Sequence, residues 1–449
     1  MTKTKEKRSK IRGTFAWALW DWAEQPYPTI MQTFIFPTYI GLAAFGTTKE
    51  TDTALGLATA IGGVLLALIA PVLGRRSDDS GRRKFWLMTN TYLLAAITAA
   101  SFFIEPAKEF LFPAMVLYAV GSVIQESAFI NYYAMLKGVT TEKNIGRVSG
   151  FAWALGYLGG IILLIVSLFG YVMPFFKKVG DFDKIGLEYG EPAIPMRLVF
   201  LFAAVWIIVF SIPLLVRVPE IEKKVHDKIS ILESYKQLWS QLKTLRTQAP
   251  ETLKFLISSA VYRDGLAGIF TFGAILGTHA FGFELTDVIM FGIAANLVSG
   301  IGALIGGLVD DKFGSRNVII ASLIGLLAAG VYVFIAGATM DQKHPDQGIY
   351  WLGGLALCLF VGPAQASSRT FVARFTPKGR EGEVFGLYQF TGRAVSFLSG
   401  SFWTLSILIG SAVTGMKDAT IFGVIGLLLV LSVGLGLLTR VHPNPKVLE

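Results

Sequence analysis

The chain has 449 residues but one cysteine, Cys358, so no internal disulfide can form, and its four scattered histidines lack the cysteine partners of a structural zinc site. Charge is scarce as well: Asp, Glu, Lys and Arg make up 16% of the residues, against about 25% in a soluble globular protein. With 53% apolar residues, that shortage excludes an ordinary soluble enzyme and a disordered chain alike. No nucleophile-base pair, metal-ligand cluster or P-loop has a recognisable spacing, so neither an enzyme nor a cofactor is expected. Gly300-x-Gly302 is no dinucleotide loop, because it lies inside an apolar run with no strand before it. Nor is there an Asn-x-Ser/Thr acceptor.

What the chain does have is long apolar runs. Stretches near 14–41, 53–74, 84–104, 109–135, 146–173, 196–216, 252–281, 287–309, 317–338, 348–373, 383–413 and 418–439 are each long enough for a bilayer span of roughly 20 residues. An all-α membrane protein with twelve transmembrane helices follows. The first run carries Asp21 and Glu24 and exceeds a signal-peptide h-region, so it is expected to remain as a span. With the N-terminus inside, 29 of the 40 Lys and Arg fall on the cytoplasmic side, 8 on the other, and 3 (Arg263, Arg369, Arg393) within spans. That bias places both termini in the cytoplasm. The short external loops and missing glycosylation acceptor suit a bacterial plasma membrane. The net charge of +9 is therefore read as a topology signal facing anionic lipid, with no nucleic-acid partner.

The most polar internal stretch divides the spans six and six. It predicts an N-terminal bundle over 1–217, a cytoplasmic linker over 218–250 and a C-terminal bundle over 251–449. Ile231, Tyr235, Leu238, Leu242 and Leu245 recur in the linker at helical spacing, as in an amphipathic helix lying on the membrane. The two halves also echo each other. Gly74, Asp78, Gly81 and Arg83 match Gly307, Asp311, Gly314 and Arg316 at one offset of 233, and Gly146, Val148, Gly150 and Gly156 match Gly382, Val384, Gly386 and Gly392 at 236. Two echoes at nearly one offset mark a duplicated, pseudo-symmetric architecture.

Twelve spans in two halves, with Gly-x-x-x-Asp-x-x-Gly-x-Arg after the second span of each, resemble the major facilitator superfamily. Trp17-Ala-Leu-Trp20-Asp21-Trp22-Ala-Glu24-Gln25-Pro26-Tyr27 and Tyr262-Arg263-Asp264-Gly265 resemble its branch of autophagy-related vacuolar effluxers and their bacterial relatives. The resemblance implies a secondary transporter that rocks two bundles around a central site, and the fungal vacuolar members are associated with amino-acid efflux. It also implies a conformational latch at Gly74, Asp78, Gly81, Arg82 and Arg83, with a second copy at Gly307, Asp311, Gly314 and Arg316. Ser315 stands where the first copy has Arg82, which suggests a weaker second latch.

A charge near mid-span costs about 2.5 to 3.5 kcal/mol on insertion scales and normally faces a bundle interior or a watery cavity. Asp21, Glu24, Glu126, Arg263, Asp264, Arg369 and Arg393 all lie in spans, and the resemblance places spans 1, 4, 7 and 10 around the central cavity. Asp21, Glu24, Gln25 and Pro28 share one helical face, and Pro26 with Pro28 should break that helix. Gln365 and Arg369 share a face of span 10, Gln389 and Arg393 one of span 11. The expected substrate site therefore comprises Asp21, Glu24, Gln25, Arg263, Asp264, Gln365, Arg369, Gln389 and Arg393, with Trp20 and Trp22 as its aromatic wall. Arg369 lies nearer the cytoplasmic end, where snorkelling is an alternative. A zwitterion such as an amino acid suits acids in one half and arginines in the other. The same charges could instead serve as structural bridges. Glu126 and Asp21 are the expected proton-coupling acids, with sodium as an alternative ion. A monomer acting on a small solute is the leading reading; efflux of a larger amphipathic drug or lipid, or a receptor or scaffold that kept the fold, are the others.

Overall fold

The computed structural model describes residues 2–172, 193–220, 250–341, 344–377, 379–416 and 418–442. The linker helix expected between Ile231 and Leu245 lies outside them. Among the described residues every regular element is helical. The chain runs through α1 (Thr2–Glu24), a π-helical stretch (Tyr27–Thr33), α2 (Ile35–Ile40), α3 (Thr48–Ser80), α4 (Arg83–Ala100), α5 (Leu111–Ala134), α6 (Leu136–Val139), α7 (Ile145–Ser167) and α8 (Ile194–Arg217). It continues through α9 (Pro250–Phe281), α10 (Leu285–Phe313), α11 (Ser315–Thr339), α12 (Gln347–Phe375), α13 (Glu381–Ala394), α14 (Leu398–Thr414) and α15 (Gly423–Thr439), with short 3₁₀ turns between.

Ten helical stretches among the described residues are long and apolar enough to cross a membrane. The other two expected spans fall on α1 to α2, which is interrupted, and on α9, where Ser258, Ser259, Arg263 and Asp264 dilute the apolar run. Local chemistry sets several helix ends. Thr47 and Glu50 form a reciprocal capping box that starts α3, and Gly81 closes the same helix in the left-handed region at φ 62°.

The chain divides into two compact units, one of residues 1–139 with 155–226 and one of residues 140–154 with 227–449. In the first, α3 and α4 pack on α5, and α1 and α4 pack on α8. In the second, α10 and α11 pack on α12, and α9 and α11 pack on α15. Counted as spans within each half, these are the same four pairings, so the repeat seen in two short motifs extends to the helix packing. The first ten residues of α7 group with the second unit.

Two expected spans are broken helices. At Pro26 and Pro28 the missing N–H groups end α1, and the chain winds through wider turns in which the Phe34 N–H reaches the Thr29 carbonyl at 3.0 Å. The span expected to run unbroken over 383–413 is interrupted at 395–397, although neither Pro nor Gly lies there.

Small residues allow close helix approach. Gly156 and Gly160 lie against Gln25 and Thr29, and Gly302 and Gly306 against Leu359 and Pro363. In the second unit a Cβ on Gly307 would sit 2.6 Å from the Gly146 carbonyl oxygen and 3.0 Å from the Gly150 Cα, both backbone atoms of α7. Gly307→Ala is therefore expected to lower thermal stability by about 1–3 kcal/mol through overpacking. Gly436→Ala, where no atom lies within 4 Å, should leave the melting temperature unchanged or slightly higher; denaturation of the two purified variants checks the contrast.

Candidate functional site

In the first unit a polar cluster forms where α1 ends against α5. Glu24, only 3% exposed, accepts a hydrogen bond from the Gln125 amide. The Gln125 carbonyl oxygen in turn accepts from Gln32 Nε2 at 3.0 Å, and that nitrogen also lies 3.4 Å from Ser122 Oγ. Asp21 is buried, Glu126 is half-buried, and both act electrostatically on Glu24. No basic side chain pairs with Glu24 among the described residues. Tyr27 donates to the Tyr118 carbonyl at 2.8 Å across the broken turn. Gln25 is half-buried, with its amide facing Gly156 of α7.

The aromatic wall expected at Trp20 and Trp22 is helix-packing material. Trp20 is fully buried, donates to Thr91 Oγ1 at 3.0 Å and tilts against Tyr132. Trp22 stacks on Trp206 of α8 with ring centroids 5.3 Å apart. Gln32 and Tyr27 were not among the expected site residues. Gln32 extends the Asp21, Glu24, Gln25, Pro28 stripe by one more turn, the signal that would have marked it.

In the second unit Arg263 is half-buried and held by neutral groups. It donates to the Tyr388 carbonyl at 3.1 Å and to Gln389 Oε1 at 2.8 Å, and its guanidinium carbon lies 3.7 Å from the centre of the Tyr388 ring. No carboxylate pairs with it among the described residues. Arg393 occupies the last turn of α13, half-buried, and Gln365 is half-buried on α12. Asp264 is buried, and its carboxylate accepts the Ser399 backbone N–H at 2.6 Å.

Arg369 does not snorkel. It is 1% exposed and donates to Ser149 Oγ at 3.0 Å and to the Ser149 carbonyl at 2.8 Å. Its charge is stabilised inside the second unit by the start of α7, so water need not reach it.

The two loop motifs are wired differently. In the first, Asp78 pairs with Arg83 in a bond from Nε at 2.8 Å, both side chains being buried. Arg82 is exposed and forms no ion pair among the described residues. In the second, Asp311 accepts from the backbone N–H groups of Gly146 at 2.7 Å and Arg147 at 3.1 Å, at the N-terminus of α7. Arg316 does not complete this copy; it donates to the Thr439 carbonyl at the end of α15. The buried pairing passes instead to Asp310 and Arg374, 2.7 Å apart, with Ser315 bonded to both. Asp310 and Arg374 were missed because neither belongs to the repeated spacing.

Described residues that form only helices, a six-span pairing repeated in both halves, and this loop motif in each define a multi-pass membrane transporter of the major facilitator superfamily. The solved proton:xylose symporter XylE shares the fold, with a TM-score of 0.68 over 98% of this chain and 97% of that one at 12% identity. Residues 39–445 match the family described as vacuole effluxer Atg22 like, and the chain belongs to that family. An uncharacterized MFS-type transporter, YxiO of Bacillus subtilis, is 26% identical over 91% of each chain. Autophagy-related protein 22 of Cryptococcus neoformans is 22% identical over 62% of this chain and 48% of its own.

The different wiring has a measurable consequence. Arg83→Ala removes the buried ion-pair partner of Asp78 and should destabilise the protein by about 3–5 kcal/mol. Arg316→Ala removes only an exposed helix-end contact and should cost no more than about 1 kcal/mol. Parallel thermal denaturation in detergent separates the two.

Proposed function

We propose that the chain is a secondary transporter that exports a small, polar, amino-acid-like solute across the plasma membrane by alternating access, with both termini cytoplasmic. The observation that carries this reading is Arg263, a guanidinium oriented by a tyrosine ring, a carbonyl and an amide, with no carboxylate paired to it among the described residues. Neutral acceptors fix the direction of the charge without neutralising it, and three of its five N–H groups remain available for a solute carboxylate. Gln389 and Arg393 extend that surface on α13, with Gln365 on α12.

In the first unit, the acids near Glu24 are the groups whose charge would suit an ammonium group. Asp21 and Glu126 both act electrostatically on Glu24, and this gathering of acids is the candidate for proton or sodium coupling. Glu126 and Asp21 remain the coupling acids in this reading; Glu24 and Gln25 serve the solute.

Purified protein in liposomes, tested with an L-amino-acid panel under imposed proton or sodium gradients, is expected to show gradient-driven flux. Arg263→Ala and Asp21→Asn should each reduce it by about 100-fold or more, the loss of a charge-assisted contact made in a water-poor site, with melting temperatures near that of the parent. Undiminished flux in Arg263→Ala would overturn the assignment. Binding without flux would identify a receptor that kept the fold, and flux of bulky amphipathic solutes alone would favour drug or lipid efflux.

A further inference from the structure

Arg263 and Asp264 are neighbours on α9, yet they hold opposite sides of the break between α13 and α14. Arg263 grips the end of α13 through the Tyr388 carbonyl and Gln389, and a Cβ at Gly392 would lie 3.4 Å from its Nη1. Asp264 accepts the backbone N–H of Ser399, the second residue of α14. The sequence at the break, Ala394-Val395-Ser396-Phe397-Leu398, contains no helix breaker. In an isolated helix these residues would continue the hydrogen-bond ladder, so the interruption has to be held from outside the segment.

The energetic reason is specific to the membrane. A helix that starts afresh presents unpaired N–H groups, and without water each costs several kcal/mol unless the protein supplies an acceptor. A carboxylate at the N-terminus also interacts favourably with the helix dipole. Asp264 meets both needs, and Gly268, one turn further along α9, lets the start of α14 approach, since a Cβ there would lie 2.8 Å from that of Ser399. The charged group acting on this carboxylate is Arg393 at the end of α13.

We infer that Asp264 is a positioning residue and not a solute ligand: its carboxylate oxygen starts α14 at Leu398, keeps the helix interrupted, and thereby sets where the last turn of α13 presents Arg393. The requirement is for an acceptor oxygen at this position, and negative charge is secondary. The inference concerns the path of the helix and holds whichever solute is carried.

The test uses the full-length protein in nanodiscs with spin labels at Ile257→Cys and Val413→Cys, both exposed on the second unit, while the native Cys358 is buried. For α14, 17 residues long, a change of about 20° at its start moves the far end by roughly 9 Å. Asp264→Asn keeps an acceptor oxygen and is expected to give the same inter-label distance as the parent. Asp264→Ala is expected to shift that distance by several Å or to broaden its distribution. Ser399→Pro removes the donor N–H at a first-turn position that tolerates proline and is expected to shift it too, which keeps the test decisive if Asp264→Ala fails to fold. A shift in Asp264→Asn equal to that of the other variants, or an unmoved distance in either Asp264→Ala or Ser399→Pro, overturns the inference.

Discussion

Within hydrocarbon every backbone N–H and C=O must find its partner inside the protein, and this requirement governs where the chain leaves regular helical geometry. Several new helix starts are held by an acid. Asp311 holds the N–H groups of Gly146 and Arg147, Glu220 those of Lys84 and Phe85, and Asp264 that of Ser399. Cations take the opposite ends: Lys84 donates to the Leu215 and Val218 carbonyls after α8, and Arg316 to the Thr439 carbonyl of α15. Acids at N-termini and bases at C-termini follow the dipole of the helix, so residues that look like free charges in the sequence are largely terminators of backbone ladders.

Duplication preserved the packing and rearranged this wiring. The same span pairs meet in both units, because a small-residue stripe or an apolar face is set by many positions and survives drift at any one of them. A charged contact depends on two residues. In the first unit Asp78 and Arg83 bond to each other; in the second the equivalent acid and base have separated, each to a helix end, and Asp310 with Arg374 has taken over the buried pair. Ser315, at the position of Arg82, bonds Asp310 and Arg374 together. The second copy is rebuilt around different partners, and Ser315 is part of it.

What could be read from the sequence was local. Apolar runs located the spans, Pro26 and Pro28 located the first break, and fixed spacings exposed the repeat, because each depends on residues close together in the chain. Asp21, Glu24, Gln25 and Pro28 were legible as one polar face because their spacing is helical. The break at 395–397 was invisible, since its cause is a carboxylate 135 positions away in sequence. Arg369 had every mark of a cavity residue, yet its partner is Ser149, 220 positions away. Mid-span charge therefore signals a burden that the fold must resolve, without saying whether the resolution is internal.

Arg369 and Arg263 show how that difference is decided. Arg369 donates to Ser149 inside the second unit, and Arg263 is held by a carbonyl and an amide. Uncharged acceptors lower the cost of burying a guanidinium but leave its positive charge in place. Arg369 is enclosed, only 1% exposed. For Arg263 the guanidinium is half-buried and braced from one side by the Tyr388 ring, so its field acts on whatever anion approaches from the other. Glu24 is the mirror case, a carboxylate oriented by Gln125, which Gln32 holds in turn. Amides that aim a charge without cancelling it make a preorganised receptor, because the desolvation cost is met during folding and the arriving ion gains the full attraction. In the proposed reading, access to the charge, more than the charge itself, separates a structural arginine from a recognising one.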